Sequence, residues 1–239
     1  MKSDSDSALI KLRGLTLRRG RRSVLDELNV SFPRAGLVAL LGGNGAGKSS
    51  LLRILAGVSE ATSGTVNQSG ELRLGWMAEP ARFYHQLTVK EQLLLQADLL
   101  ALPEPVKVVN QLMNQWQLER VSQFRTEHLS LGYRQRLSLA QALMGPVDVL
   151  LLDEPMNGMD PELMQQFKTF LADIKQHKLV ILATHLMAEI SDLTDWALVL
   201  HQGRLLAKHD YRHQRATAVD LMHLYQTSLS DWQQAAANG

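Results

Sequence analysis

Apolar positions along this chain follow two different periods. From Ala8 to about Phe32 they alternate in short segments punctuated by Gly14, Gly20 and Pro33, which predicts a small antiparallel sheet. Leu37-Val38-Ala39-Leu40-Leu41 is a continuous apolar run that ends in a glycine-rich loop. Beyond it, Leu51, Leu52, Ile54 and Leu55 fall at helical spacing until Gly57 ends the pattern. Ser63-Gly64-Thr65 reads as a turn into another short strand, and Leu72 to Met77 as a further strand, broken by Pro80.

From Thr88 to about Leu143 the period is helical. Val89, Leu93, Leu94 and Ala97 form one face, and Thr88 with Glu91 makes a capping box. Pro103 and Pro105 break the chain before Val106, Val109, Leu112, Met113 and Trp116 form the next face. A third helix starts near Gly132 and carries Leu137, Ala140 and Leu143. Two near-continuous apolar runs follow, Val147 to Asp153 and Leu179 to Thr184, the pattern of strands buried on both faces of a parallel sheet. A helix from Pro161 to about Gln176 joins them, with Pro161 favoured in its first turn after Asp160. Trp196–His201 and Arg204–Ala207 read as a closing hairpin. Val219, Leu221, Met222, Leu224 and Tyr225 predict a helical tail that gives way to a disordered end in the last five residues, AAANG.

Composition narrows the classes. The chain has 239 residues, 45% hydrophobic and 21% charged, enough for a full α/β core. A net charge of +1 gives no electrostatic case for nucleic acid, and none is expected as a partner. The absence of cysteine excludes disulfides, thiolate metal sites and a cysteine nucleophile, and fits a reducing compartment. The N-terminal MKSDSDSALIKLR has no apolar core of a secretory signal, and its first seven residues read as a disordered acidic-serine segment. No stretch approaches the ~20 apolar residues of a membrane span, so work at a membrane would need another chain.

The chemistry starts at the first glycine-rich loop. Gly42-Gly43-Asn44-Gly45-Ala46-Gly47-Lys48-Ser49-Ser50 fits G-x-x-x-x-G-K-[ST] at every fixed position, between a strand and a helix. Glycines let backbone N–H groups converge on an anion, and the helix adds its positive end. Lys48 is placed to reach β- and γ-phosphates and the Ser49 hydroxyl to ligate Mg²⁺. Asp153 ends a buried strand, where α/β sheets bind ligands, and suits Mg²⁺; Glu154 beside it suits a general base. The same pair fits two carboxylates capping the next helix. His185 follows another buried strand, where a histidine either bonds a γ-phosphate or serves the fold. Ser130 and Gly132 open a helix, either as a simple cap or as a second anion site completing the loop of another subunit. The basic cluster Arg18-Arg19-Gly20-Arg21-Arg22 reads equally as a solvated turn or as a nucleotide-facing one. The expected fold is α/β: a P-loop NTPase core with a mainly parallel sheet, an N-terminal antiparallel β subdomain and an inserted helical subdomain over about 82–143, the domain as a whole spanning 8–210 and the tail 211–239.

In this order, the P-loop, the helical block, Leu129-Ser130-Leu131-Gly132-Tyr133-Arg134-Gln135-Arg136, Leu150-Leu151-Leu152-Asp153-Glu154-Pro155, Asn157-Gly158-Met159-Asp160 and His185 resemble the ATP-binding subunit of ABC transporters from about Leu9 to Ala207. The resemblance implies a head-to-tail dimer, expected to be a homodimer, that sandwiches two Mg·ATP. It matches Asp153 to the Mg²⁺-associated carboxylate, Glu154 to the catalytic base and His185 to the switch histidine. Ser130 and Gly132 would meet ATP in trans, and Met156 to Asp160 would cross the interface. Arg19 stands where such subunits usually stack an aromatic ring on adenine, and Glu79 where they place a metal-contacting Gln; Leu131 and Tyr133 replace the commonest Gly and Gln. The function implied is hydrolysis of ATP to drive a separate membrane permease, docked near Pro80 to Leu87. The protein is then expected in the cytoplasm, on the inner face of the cell membrane. The little chain left after the fold closes leans towards the simpler bacterial exporters. Two other readings stand beside it: a soluble ABC ATPase of translation or DNA repair, and a nucleotide-binding regulatory module with little turnover.

Overall fold

The computed structural model describes residues 8–237; the expectation for the first seven residues lies outside them. Strands β1 (Ile10–Arg19) and β2 (Arg22–Phe32) form a hairpin, and β4 (Ser63–Gln68) pairs with the free edge of β1 to complete a 3-stranded antiparallel sheet. The second sheet has 6 strands in the order β5-β6-β7-β3-β8-β9. Its members are β3 (Gly36–Leu41), β5 (Leu74–Met77), β6 (Val149–Asp153), β7 (Leu179–Thr184), β8 (Trp196–His201) and β9 (Arg204–Asp210). All neighbours pair parallel except the closing β8–β9 hairpin.

The near-continuous apolar runs are the central strands, and the reason is visible in the two cores. Leu37, Ala39, Leu41, Leu150, Leu152, Val180 and Leu182 enter one cluster with the helices. Val38, Leu40, Val149, Leu151, Leu179 and Ile181 enter the other, against the antiparallel sheet. Strands covered on both sides need apolar residues at both parities. Helix α1 (Lys48–Leu55) belongs to the second cluster. The first holds helices α2 (Val89–Leu99), α3 (Pro105–Gln115), α4 (Leu131–Ala142) and α5 (Pro161–Ile174).

The Thr88–Glu91 capping box forms in full at the start of α2, and Asp160 caps α5 by accepting from the Leu163 N–H. At Gly75, β5 passes so near α4 that a Cβ would overlap the Ala142 carbonyl oxygen. The short helix α6 (Met187–Ile190) follows β7. The final helix α7 (Ala218–Ala237) runs on through Ala235 to Ala237. Sequence alone predicts a disordered end over AAANG; its three alanines are helical, and its last two residues lie outside those described. Alanine has the highest helix propensity, so nothing there stops the helix.

Candidate functional site

Because β3, β5, β6 and β7 are parallel, their C-terminal ends lie along one edge. In register, Leu41 faces Thr184, Met77 faces Leu152 and Asp153 faces Ala183. The residues that follow these ends line one cleft of about 690 Å³: Gly43 to Ser50, Glu79, Asp153, Glu154, Asn157 and His185, with Arg19, Arg22 and Val24 at its rim.

The loop takes its shape from glycine where a side chain has no room. Gly47 caps α1 at φ 110°, and a Cβ there would lie 2.8 Å from Leu25 Cδ2 and 2.9 Å from the Val24 oxygen. Lys48 is the first residue of α1 and is only 6% exposed. Its ammonium donates to the Gly42 oxygen at 2.7 Å and the Gly43 oxygen at 3.3 Å, so it braces the loop that precedes it. The same nitrogen lies 3.7 Å from Glu154 Oε1.

Glu154 departs from ordinary backbone geometry, with φ 46° in the left-handed region. A non-glycine residue there costs free energy that the surroundings must supply. Its N–H donates to the Ala183 oxygen at 2.8 Å, and its Oε2 lies 3.0 Å from His185 Nδ1. The turn therefore aims the carboxylate back across the P-loop rather than onto the next helix, so the helix-capping reading of Glu154 does not describe it.

Asp153 is 1% exposed, and neither carboxylate oxygen completes a hydrogen bond. The nearby Ser49 hydroxyl still favours the charged form. Burial is the largest influence and pushes the Asp153 carboxyl above its usual range, with the charges of Glu154 and Glu79 acting in the same direction. An orphaned buried carboxylate beside a serine hydroxyl and a second acid suits a hard divalent cation. Among the described residues no three His, Cys, Asp or Glu side chains gather as a complete metal site. Mg²⁺ fits such a partial set, since it keeps waters and takes phosphate oxygens as further ligands. Glu79 reaches this end of the cleft with Oε2 held at 3.2 Å by the Gln135 side-chain amide of α4.

Ser130 and Gly132 do not join the cleft. Ser130 is the N-cap of α4 but makes no side-chain capping bond. It opens the helix on an exposed face beside the Asn157–Asp160 loop, where a Cβ on Gly132 would be 3.3 Å from the Gly158 oxygen. Sequence reasoning missed Arg22 as a cleft residue. The signal was its place in the basic cluster: Arg19 and Arg22 are paired across the β1–β2 turn, and of that cluster only these two line the cleft. Gln135 was missed as the partner of Glu79.

A phosphate loop, a buried carboxylate, a strained glutamate and a strand-end histidine on one sheet edge define a P-loop nucleoside triphosphatase. The family model for ABC transporters matches residues 25–157, and the chain belongs to that family. It is 29% identical to the bacitracin transport ATP-binding protein of Bacillus licheniformis over 87% of this chain and 71% of that one. It is 28% identical to a lantibiotic transport ATP-binding protein of Streptococcus pyogenes over 85% of this chain and 91% of that one. A solved ATP-binding subunit of an ABC transporter superposes with a TM-score of 0.80 at 25% identity, covering 92% of this chain and 99% of the other. The protein is an ABC ATPase, the ATP-hydrolysing subunit of a transporter.

Proposed function

We propose that this subunit hydrolyses Mg·ATP at the described cleft and thereby drives export through a separate membrane permease. The observation that carries the reading is the division of the machinery. The groups for phosphate, metal and water meet in one cleft, while Ser130 and Gly132 face outward on another surface. A cleft completed by the outward-facing set of a second copy accounts for both.

In the mechanism, the P-loop N–H groups and Lys48 hold the β- and γ-phosphates. Asp153 and Ser49 would hold the metal, and Glu79 lines the same cleft. When bound, Mg²⁺ neutralises charge building on the phosphate oxygens. Glu154 accepts the proton of the attacking water, and His185, fixed through Nδ1 by Glu154, turns its other ring nitrogen towards the γ-phosphate. Ser130 and the α4 N-terminus meet that phosphate from the partner copy. Tyr84 is 61% exposed between β5 and α2, on the segment proposed to meet the permease. No helix of the described residues is long and apolar enough to cross a membrane, which fits a permease carried by another chain. The two relatives are named for bacitracin and lantibiotic transport, and an outward path for such peptide antibiotics is the direction proposed for this subunit.

The test is Mg²⁺-dependent phosphate release from ATP by the protein isolated from membranes with its multi-span partner. Recovery only with ribosomes or DNA, or no turnover with any membrane partner, would overturn the proposal.

A further inference from the structure

The rim of the cleft carries a different chemistry from its floor. The acidic side chains among the described lining residues, Glu79, Asp153 and Glu154, stand at or just beyond the C-terminal ends of β5 and β6, at the phosphate end, and the two amides are Asn157 after β6 and Asn44 on the P-loop. On the other side, the lining beyond the P-loop is Arg19, Arg22 and Val24. Arg19 and Arg22 are direct cross-strand partners at the tip of the β1–β2 hairpin, so their side chains leave the same face of the ribbon. Arg22 also leans over the loop: a Cβ on Gly45 would lie 3.9 Å from its Nη2. Neither guanidinium has a hydrogen-bond or ion-pair partner among the described residues. Among the described residues the only ring in the lining is His185, which is held at the far end by Glu154.

With the triphosphate on the P-loop and its γ end at Glu154, the nucleobase falls at this rim. It meets two forks of N–H donors and one isopropyl group, and no carboxylate. A guanidinium has donors only. The outer edge of guanine offers two acceptors, N7 and O6, which an arginine fork matches bidentately, whereas adenine sets the N6 amine, itself a donor, beside N7. Val24 supplies an apolar contact that either base can use.

We propose that Arg19 and Arg22 form a guanine-accepting base site, so that this ATPase binds and hydrolyses GTP at least as well as ATP. The inference rests on the nucleotide-hydrolysing reading given above and adds the selectivity of the same cleft.

The experiment is displacement of a fluorescent ADP analogue by unlabelled ADP and GDP, beside kcat/KM for Mg·ATP and Mg·GTP. It compares the wild type, the double variant Arg19→Ala/Arg22→Ala, and Arg19→Tyr, with thermal melting to check folding. Both arginines lie on an exposed turn, so the variants are expected to fold. In the wild type GDP should displace the probe with an affinity within about threefold of ADP or tighter. Removing both arginines should weaken GDP by roughly 5- to 10-fold more than ADP, the lower range for one bidentate base contact. Arg19→Tyr, which stacks on any purine without a donor fork, should shift preference back towards ADP. Wild-type GDP binding more than threefold weaker than ADP overturns the proposal and leaves ATP hydrolysis standing. Equal losses for both nucleotides in the double variant overturn it too, since they would mean that the arginines only attract phosphate. Binding of neither nucleotide overturns this inference together with the reading beneath it.

Discussion

Glu154 engages Lys48 and His185 together: its Oε1 lies 3.7 Å from the lysine ammonium and its Oε2 lies 3.0 Å from His185 Nδ1. The contacts tie the ends of three parallel strands, since Lys48 follows β3, Glu154 follows β6 and His185 follows β7. A γ-phosphate arriving at Lys48 competes for the same ammonium and frees one carboxylate oxygen for water. Glu154→Gln keeps the shape of this arrangement and removes the proton acceptor. Phosphate release should fall by about 10²- to 10⁴-fold, the usual contribution of a general base. ATP binding should persist, with an ATP-dependent dimer visible by light scattering. Turnover close to wild type would remove Glu154 from the role of base.

Asp153 makes the opposite kind of prediction, because its buried charge costs stability when no cation is present. Its carboxyl is held above the usual carboxylate range, mainly by burial. The folded state therefore binds the proton more tightly than the unfolded one. The penalty is absent below the ordinary carboxylate pKa and grows as pH rises through the elevated value. Asp153→Asn exchanges a buried charge for a neutral amide and should raise the nucleotide-free stability at neutral pH by about 1–2 kcal/mol, since unpaired buried charge costs more than an unpaired neutral polar group. That corresponds to roughly 2–8 °C in melting temperature for a chain of this size. The same variant should lose the further stabilisation that Mg·ATP gives the wild type. Melting curves with and without Mg·ATP, repeated at pH 7 and at acidic pH, check both halves.

How much of this site could be read beforehand depends on where each residue sits relative to the apolar runs. Lys48, Asp153, Glu154 and His185 all follow uninterrupted hydrophobic strands, and parallel strands bring their ends to one edge whatever the loops do. Glu79 and Gln135 lie 56 residues apart in sequence. Their contact depends on α4 settling against Gly75, which no local pattern encodes. Arg22 was half legible, since a basic turn can face solvent or a cleft with the same sequence. Only the pairing register settles that Arg19 and Arg22 point together. The end of α7 was misread because polar and alanine-rich sequence suits a frayed tail and an exposed helix equally.

Arg136 links the helical block to the loop after Glu154. Its guanidinium donates to Gln117 Oε1 at 2.5 Å and to Asp160 Oδ2 at 3.0 Å. Arg136→Ala should cost about 0.5–1.5 kcal/mol, the net worth of a hydrogen bond whose acceptors water can reach, since Gln117 and Asp160 are both exposed, and Arg136→Lys should recover only part because one ammonium cannot span both acceptors. The Asp160 carboxyl is held below its usual range, first by the Leu163 N–H; burial opposes this, and Arg136 adds to the lowering. A lowered carboxyl stabilises the fold above its unfolded pKa, and that stabilisation fades as pH falls through the folded value. The stability gap between wild type and Asp160→Asn in urea should therefore be widest near neutral pH. It should close as pH drops below the ordinary carboxylate range of about 4. A gap that stays constant with pH would mean that the charge of Asp160 contributes nothing.

Adjacent glycines of the P-loop should behave in opposite ways. A Cβ on Gly42 would lie 2.5 Å from the Leu200 oxygen and 2.9 Å from Ala46 Cβ. The first of these is sheet backbone and the second is the loop itself, so neither can move without displacing β8 or the phosphate cradle. At Gly43 a Cβ would meet only the Tyr225 hydroxyl, at 3.5 Å, an ordinary contact with the tip of a side chain on α7. Neither residue has a positive φ, so backbone strain does not separate them and space alone does. Gly42→Ala should lower the melting temperature by several degrees, as overpacking costs about 1–3 kcal/mol, and weaken nucleotide binding more than tenfold. Gly43→Ala should stay within about 0.5 kcal/mol of wild type, as substitutions free of such clashes usually do, and keep nucleotide affinity within about threefold. Calorimetric titration of both variants with ADP checks the contrast. Equal tolerance at the two positions would show that the loop rearranges more freely than its contacts with β8 allow.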